Sequence, residues 1–86
     1  MGLSKVVIYS KPDCCLCLEA KAILQKVQRE ISFQLEELDI SHVPNLLERY
    51  GQEVPVVFVD GRKAFKYKVD ESALRNRLGR PVQIGR

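Results

Sequence analysis

The sequence predicts an α/β domain of order β-α-β-α-β-β-α, with a four-stranded mixed sheet and helices on both faces. A β-branched run at Lys5–Tyr9 gives way at once to apolar residues at helical spacing from Leu16 to Ile31. Asp60-Gly61 separates two strand-like runs, which is a two-residue hairpin signal. The 86 residues, 45% of them hydrophobic, have room for a single core.

Each element follows from local chemistry. Lys5–Tyr9 ends at the turn cluster Ser10-Lys11-Pro12-Asp13 and reads as a strand. Leu16, Ala20, Ile23, Leu24, Val27 and Ile31 then form one helical stripe, with Asp13 placed to cap the helix. Ser32–Asp39 reads as a second strand. Its apolar alternation slips phase across Glu36-Glu37, which predicts a bulge or an early end. Ser41 is placed to cap a short helix at Pro44–Tyr50, whose Val43, Leu46, Leu47 and Tyr50 share a face and which Gly51 stops. Val54–Val59 is a buried strand introduced by proline, and Lys63–Lys68 alternates Phe65 and Tyr67 with lysines, as an edge strand does. A last helix opens at Asp70-Glu71-Ser72, turns Ala73, Leu74 and Leu78 inward, and ends at Gly79. Residues 1–80 are expected to form one domain and residues 81–86 a flexible tail.

Composition narrows the function. The apolar run Pro55–Val59 is far shorter than the roughly 20 residues of a membrane-spanning helix. Met1–Lys5 leads straight into the first strand without a signal-peptide pattern, so the expected location is cytoplasmic, or an organelle matrix such as the mitochondrial one. Residues 1–60 carry six Lys and Arg against nine Asp and Glu, and residues 61–86 carry eight against two. No aromatic stacking motif accompanies the basic third, so neither nucleic acid nor a membrane is expected as a partner. The chain is expected to be a monomer.

The cysteines carry the chemistry. All three, Cys14, Cys15 and Cys17, lie within four residues, which is no framework for a disulfide scaffold and points to redox or metal chemistry. Cys14 and Cys17 stand in C-x-x-C spacing where a helix begins, three residues apart and so on one face. The first lies among the unpaired N–H groups of the helix N-terminus, which favour a thiolate; Lys11 adds to that and Asp13 opposes it. Such a thiolate attacks a disulfide, and the second thiol resolves the mixed disulfide. Cys14 is therefore the candidate nucleophile and Cys17 the candidate resolving thiol. Lys5–Tyr9 holds no acid, so the role of proton acceptor for the resolving thiol is vacant or taken by water, and Glu36-Glu37 alternate to opposite faces of their strand.

The segment Tyr9–Ala20, with Tyr-Ser-Lys-Pro-Asp-Cys followed by Leu-Cys and Ala20, resembles the thioredoxin superfamily, and specifically small glutaredoxin-like proteins, over about residues 5–79. Glu53-Val54-Pro55-Val56-Val57 is similar to the cis-proline segment of that family. The resemblance implies a thioredoxin/glutaredoxin-like fold and a cis Val54–Pro55 bond. It also implies that the Val54 backbone faces the cysteines as a shelf for an extended substrate, so that Lys11, Val54 and Pro55 are the candidate substrate-binding residues. The implied function is thiol–disulfide exchange without a tightly bound cofactor. A disulfide-containing protein or a glutathionylated species would be the substrate, and glutathione or a thioredoxin reductase the reductant. The Gly-Gly-x-x-Asp stretch of glutathione-using members is replaced here by Asp60-Gly61-Arg62-Lys63 and, further on, Val69-Asp70-Glu71.

Two other readings of the residues stand beside this one. Cys14, Cys15, Cys17 and His42 suffice by count for a tetrahedral metal, and cysteines also hold iron–sulfur clusters. A binding module without turnover would use Pro55 and the basic run Arg62, Lys63, Lys66 and Lys68.

Overall fold

The computed structural model describes residues 4–79. Its elements are β1 (Lys5–Ser10), α1 (Cys15–Gln28), β2 (Gln34–Asp39), a 3-10 turn at Ile40–His42, α2 (Pro44–Tyr50), β3 (Val56–Val59), β4 (Arg62–Lys66) and α3 (Glu71–Gly79). The strands lie in the order β2-β1-β3-β4. β1 and β2 are parallel, as the crossover through α1 requires, and the other two pairings are antiparallel. The predicted element order and mixed sheet are both present. The tail expected at 81–86 lies outside the described residues. Among the described residues no helix is long and apolar enough to cross a membrane.

Alternation along the strands builds two cores. Val6 and Ile8 of β1 and Val57 and Val59 of β3 point to one face, where Ala20, Leu24 and Val27 of α1 and Leu74 and Leu78 of α3 cover them. On the other face Tyr9 and Phe58 meet Tyr50 of α2, with ring centroids 5.4 and 5.9 Å from Tyr50 in edge-on contacts. A small cluster of Cys17, Ile40 and Val54 continues this second core beneath the start of α1, with Tyr9, Cys14, Leu38, Leu46 and Tyr50 packed against it.

Several boundaries differ from the sequence expectation. β2 begins at Gln34, and its register with β1 runs unbroken from Lys5↔Gln34 to Ser10↔Asp39, so the bulge expected at Glu36-Glu37 is absent. The phase slip has another cause: Leu35 packs against the first core and Leu38 against the second, so this edge strand is apolar on both faces. The irregularity falls instead between β3 and β4, where Ala64 is the extra residue between the Phe58↔Lys63 and Val57↔Phe65 pairs. β3 starts at Val56 rather than Val54. β4 ends at Lys66, because Tyr67 takes a positive φ of 68°.

The caps differ too. The expected cap Ser41 is itself held by Asp39, whose Oδ1 accepts the Ser41 amide at 2.9 Å, and no side chain caps α2. Asp70 does cap α3, its Oδ1 accepting the Ala73 amide at 3.1 Å. Asp60 (φ 52°) and Gly61 (φ 85°) form the expected tight hairpin turn in the left-handed region. Asp60 also ties the hairpin to β1, accepting the Lys5 amide at 2.9 Å and donating its own amide to the Lys5 carbonyl at 2.8 Å.

Candidate functional site

β1 ends at the buried Ser10, and the turn through Lys11, Pro12 and Asp13 delivers the chain to the first turn of α1. Cys14, not Asp13, is the N-cap. It sits in extended backbone (φ −106°, ψ 109°), and its Sγ accepts the amide of Cys17 at 3.1 Å. Ser or Asp makes the same bond at a helix start, satisfying one of the orphan N–H groups there. Asp13 lies one residue too early and stays exposed.

The three thiols are free and differ in access: Cys14 is half-buried, Cys15 exposed and Cys17 buried at 2% exposure. Cys17 begins the inward stripe of α1, which continues through Ala20, Leu24 and Val27. Leu16, expected to start that stripe, is instead 41% exposed. Burial is the largest of the effects that push the Cys17 thiol up to about 11, followed by its hydrogen bond to Cys14. The charges of Cys14 and Glu37 act in the same direction, and a backbone hydrogen bond from Lys11 opposes them. Cys17 is therefore a protonated, shielded thiol behind a more accessible one.

Cys14 and Cys17 share a cleft of about 140 Å³ lined by Ser10, Lys11, Pro12, Leu18, Lys21, Glu37 and Asp39. Of the expected substrate-binding residues, Lys11 lines this cleft. Val54 does not line it and lies instead in the apolar cluster with Cys17, against which Cys14 packs. The Val54–Pro55 peptide is cis. The carbonyls of Glu53 and Pro55 both accept the Tyr67 amide, at 3.2 and 2.9 Å. Among the described residues Val54 itself has neither a backbone nor a side-chain hydrogen-bond partner.

Leu16 faces a separate shallow groove with Tyr67 and Val69, while Leu18, 63% exposed, borders the cysteine cleft. Ser10, Lys21 and Glu37 join the site without any motif that marks them in the sequence. The Glu37 carboxylate accepts the Ser10 hydroxyl at 3.1 Å and pairs with Lys21 Nζ at 3.1 Å. Helical spacing from Cys17 to Lys21 carries part of that signal, but Glu37 arrives only through the parallel register of β2 on β1.

His42 is exposed on the 3-10 turn. Among the described residues no group of three or more His, Cys, Asp and Glu side chains is placed to hold a metal. Along the basic run, Lys63 is engaged by Glu53 at 2.8 Å, and Lys66 lies over the Tyr67 ring at 5.5 Å.

The order of elements, the mixed sheet and the cysteine pair opening α1 define a thioredoxin-fold protein of glutaredoxin-like type. The chain belongs to the glutaredoxin-like domain family (DUF836), whose model matches residues 5–79. It is 32% identical over 72 residues to the glutaredoxin-like protein YDR286C homolog of Dictyostelium discoideum, covering 77% of this chain and 67% of that one. Protein Ne2328 of Nitrosomonas europaea, known in solution, superposes with a TM-score of 0.80 at 28% identity, over 92% of this chain and 95% of that one. A thioredoxin variant from Halobacterium salinarum shares the fold at a TM-score of 0.66 and 17% identity, over 90% of this chain and 73% of that one.

Proposed function

We propose that the protein is a thiol–disulfide oxidoreductase in which Cys14 is the nucleophile and Cys17 the resolving thiol. The observation that carries the reading is the Cys17 amide donating to Cys14 Sγ at the N-terminus of α1. An N–H donor aimed at sulfur, in the positive field of a helix start, suits an attacking thiolate. In the first step Cys14 sulfur bonds to one sulfur of a substrate disulfide, and the other sulfur leaves as a thiolate. In the second, Cys17 sulfur attacks Cys14 sulfur, releases the remaining substrate thiolate and loses its own proton. The cysteine pair is oxidised by two electrons and the substrate disulfide is reduced. Glutathione or a thioredoxin reductase then returns the pair to the dithiol.

The unpaired backbone groups of Val54 support a substrate that lies extended beside the cysteines and pairs there as an added strand. Lys11, in the cleft, suits an acidic group on that substrate. The substrate class is a protein disulfide or a glutathionylated cysteine. The test is reduction of a glutathionylated peptide, with glutathione plus its reductase compared against thioredoxin reductase. Cys14→Ser should abolish turnover with either donor, and Cys17→Ser should accumulate a mixed disulfide. Equal residual turnover in both variants would overturn the assignment of roles.

A further inference from the structure

Resolution of the mixed disulfide requires a proton to leave Cys17, and Cys17 is the most shielded thiol of the three. The strand that leads into α1 offers no acid to take that proton. The neighbouring strand does. Glu37 of β2 lines the cysteine cleft on the α1 side of the sheet, opposite Ile8 in the ladder. Two contacts fix its carboxylate there: Ser10, buried at the end of β1, donates its hydroxyl at 3.1 Å, and Lys21, one helical turn beyond Cys17, pairs with it at 3.1 Å. Ser10 has no other side-chain partner among the described residues, so its buried hydroxyl is committed to this carboxylate.

We infer that Glu37, which lines the same cleft as Cys17, is the proton acceptor for Cys17 in the resolving step, held in place by Ser10 and Lys21. The inference rests on the oxidoreductase reading above and assigns its missing proton acceptor. As Cys17 sulfur bonds to Cys14 sulfur, the Cys17 S–H proton passes to the Glu37 carboxylate, and the Cys14–substrate S–S bond breaks to release a thiolate. The protonated Glu37 then returns its proton to that thiolate or to solvent, so no proton or electron is left over. The acceptor matters because burial, the largest effect on the Cys17 thiol, favours its protonated form and so works against a resolving thiolate. The titratable groups that line the cleft with Cys17 are Cys14 at the cap, Lys11 in the preceding turn, Lys21 on α1, and Glu37 and Asp39 on β2.

The two roles open to Glu37 act in opposite directions. A carboxylate that is only a nearby negative charge keeps Cys17 protonated, so removing it would speed resolution. A proton acceptor speeds resolution, so removing it would slow the step. The experiment is stopped-flow reaction of the reduced protein with 5,5′-dithiobis(2-nitrobenzoate), in a Cys15→Ser background so that the third thiol is silent. The first nitrothiobenzoate released reports attack by Cys14, and the second reports resolution by Cys17.

Glu37→Gln should slow the second release by on the order of 10²-fold at pH 7 and leave the first within about 2-fold. The difference should narrow toward pH 10, where Cys17 begins to ionise unaided. Glu37→Asp, which keeps a carboxylate, should lose less, and Glu37→Ser serves as a second neutral variant should Gln impair folding. A second release that is unchanged or faster in the neutral variants, or slowed equally at every pH, would overturn the assignment to Glu37 alone. A parent protein that gives no first release would overturn the nucleophile assignment beneath it.

Discussion

The Cys17 amide donates to the sulfur of Cys14 at 3.1 Å, so the side chain that caps α1 is also its candidate nucleophile. Stability and chemistry therefore meet at one atom, and substitutions can separate them. Serine keeps an acceptor at the cap, whereas alanine removes it. Cys14→Ser should leave the urea midpoint of the reduced protein nearly unchanged while abolishing disulfide reduction. Cys14→Ala should lose the activity and also about 1 kcal/mol of stability. Equal stability in the two variants would mean that the sulfur does not cap the helix.

Cys17 gives the reduced protein a pH dependence whose sign can be worked out. Its thiol is raised from 9.0 to about 11, so the folded chain keeps a proton that the unfolded chain loses from about pH 9 upward. Stability from this group is fully present below pH 9 and is lost as pH rises through 11, because in that window the unfolded state binds fewer protons. The loss amounts to about 3 kcal/mol. Urea titrations of reduced wild type and Cys17→Ser should converge or cross between pH 9.0 and about 11, as the difference cancels the lysines and tyrosines. A constant difference across that range would contradict the shielding of Cys17.

Leu24 is fully buried between α1, α3 and the sheet. Leu24→Ala removes its contacts without touching the cysteines and should cost about 3 kcal/mol in urea unfolding, with disulfide exchange by the remaining folded protein unchanged.

Gly61 tests the hairpin. Its φ of 85° lies in the left-handed region, and an added Cβ would meet nothing within 4 Å, so any cost is purely one of backbone conformation. Gly61→Ala should destabilise by about 1 kcal/mol, read as a lower urea midpoint. An unchanged midpoint would mean that the turn relaxes to another conformation.

The fold was legible in the sequence where one kind of pattern dominated. The β-branched β1, the stripe Ala20, Leu24, Val27 and the Asp60-Gly61 turn each point to one local structure, and each is present. Legibility failed where tertiary packing set the outcome. Leu35 and Leu38 looked like a bulged strand because each serves a different core, which only the position of β2 at the sheet edge explains. The cysteine pair was visible from its spacing, and Lys11 from its place in the turn just before that pair. Cys14 as cap was not, since Asp13 is the better capping residue by type and only the backbone path places the sulfur there. Glu37 was out of reach for a related reason: it joins the cleft of Cys17 through the β1–β2 register, 20 residues along the chain.

The most direct test of the account is to map the covalent adduct formed by Cys17→Ser on a glutathionylated peptide, by mass spectrometry of proteolytic fragments under non-reducing conditions. The account requires one adduct per chain, on Cys14. An adduct on the exposed Cys15, or none, would contradict it.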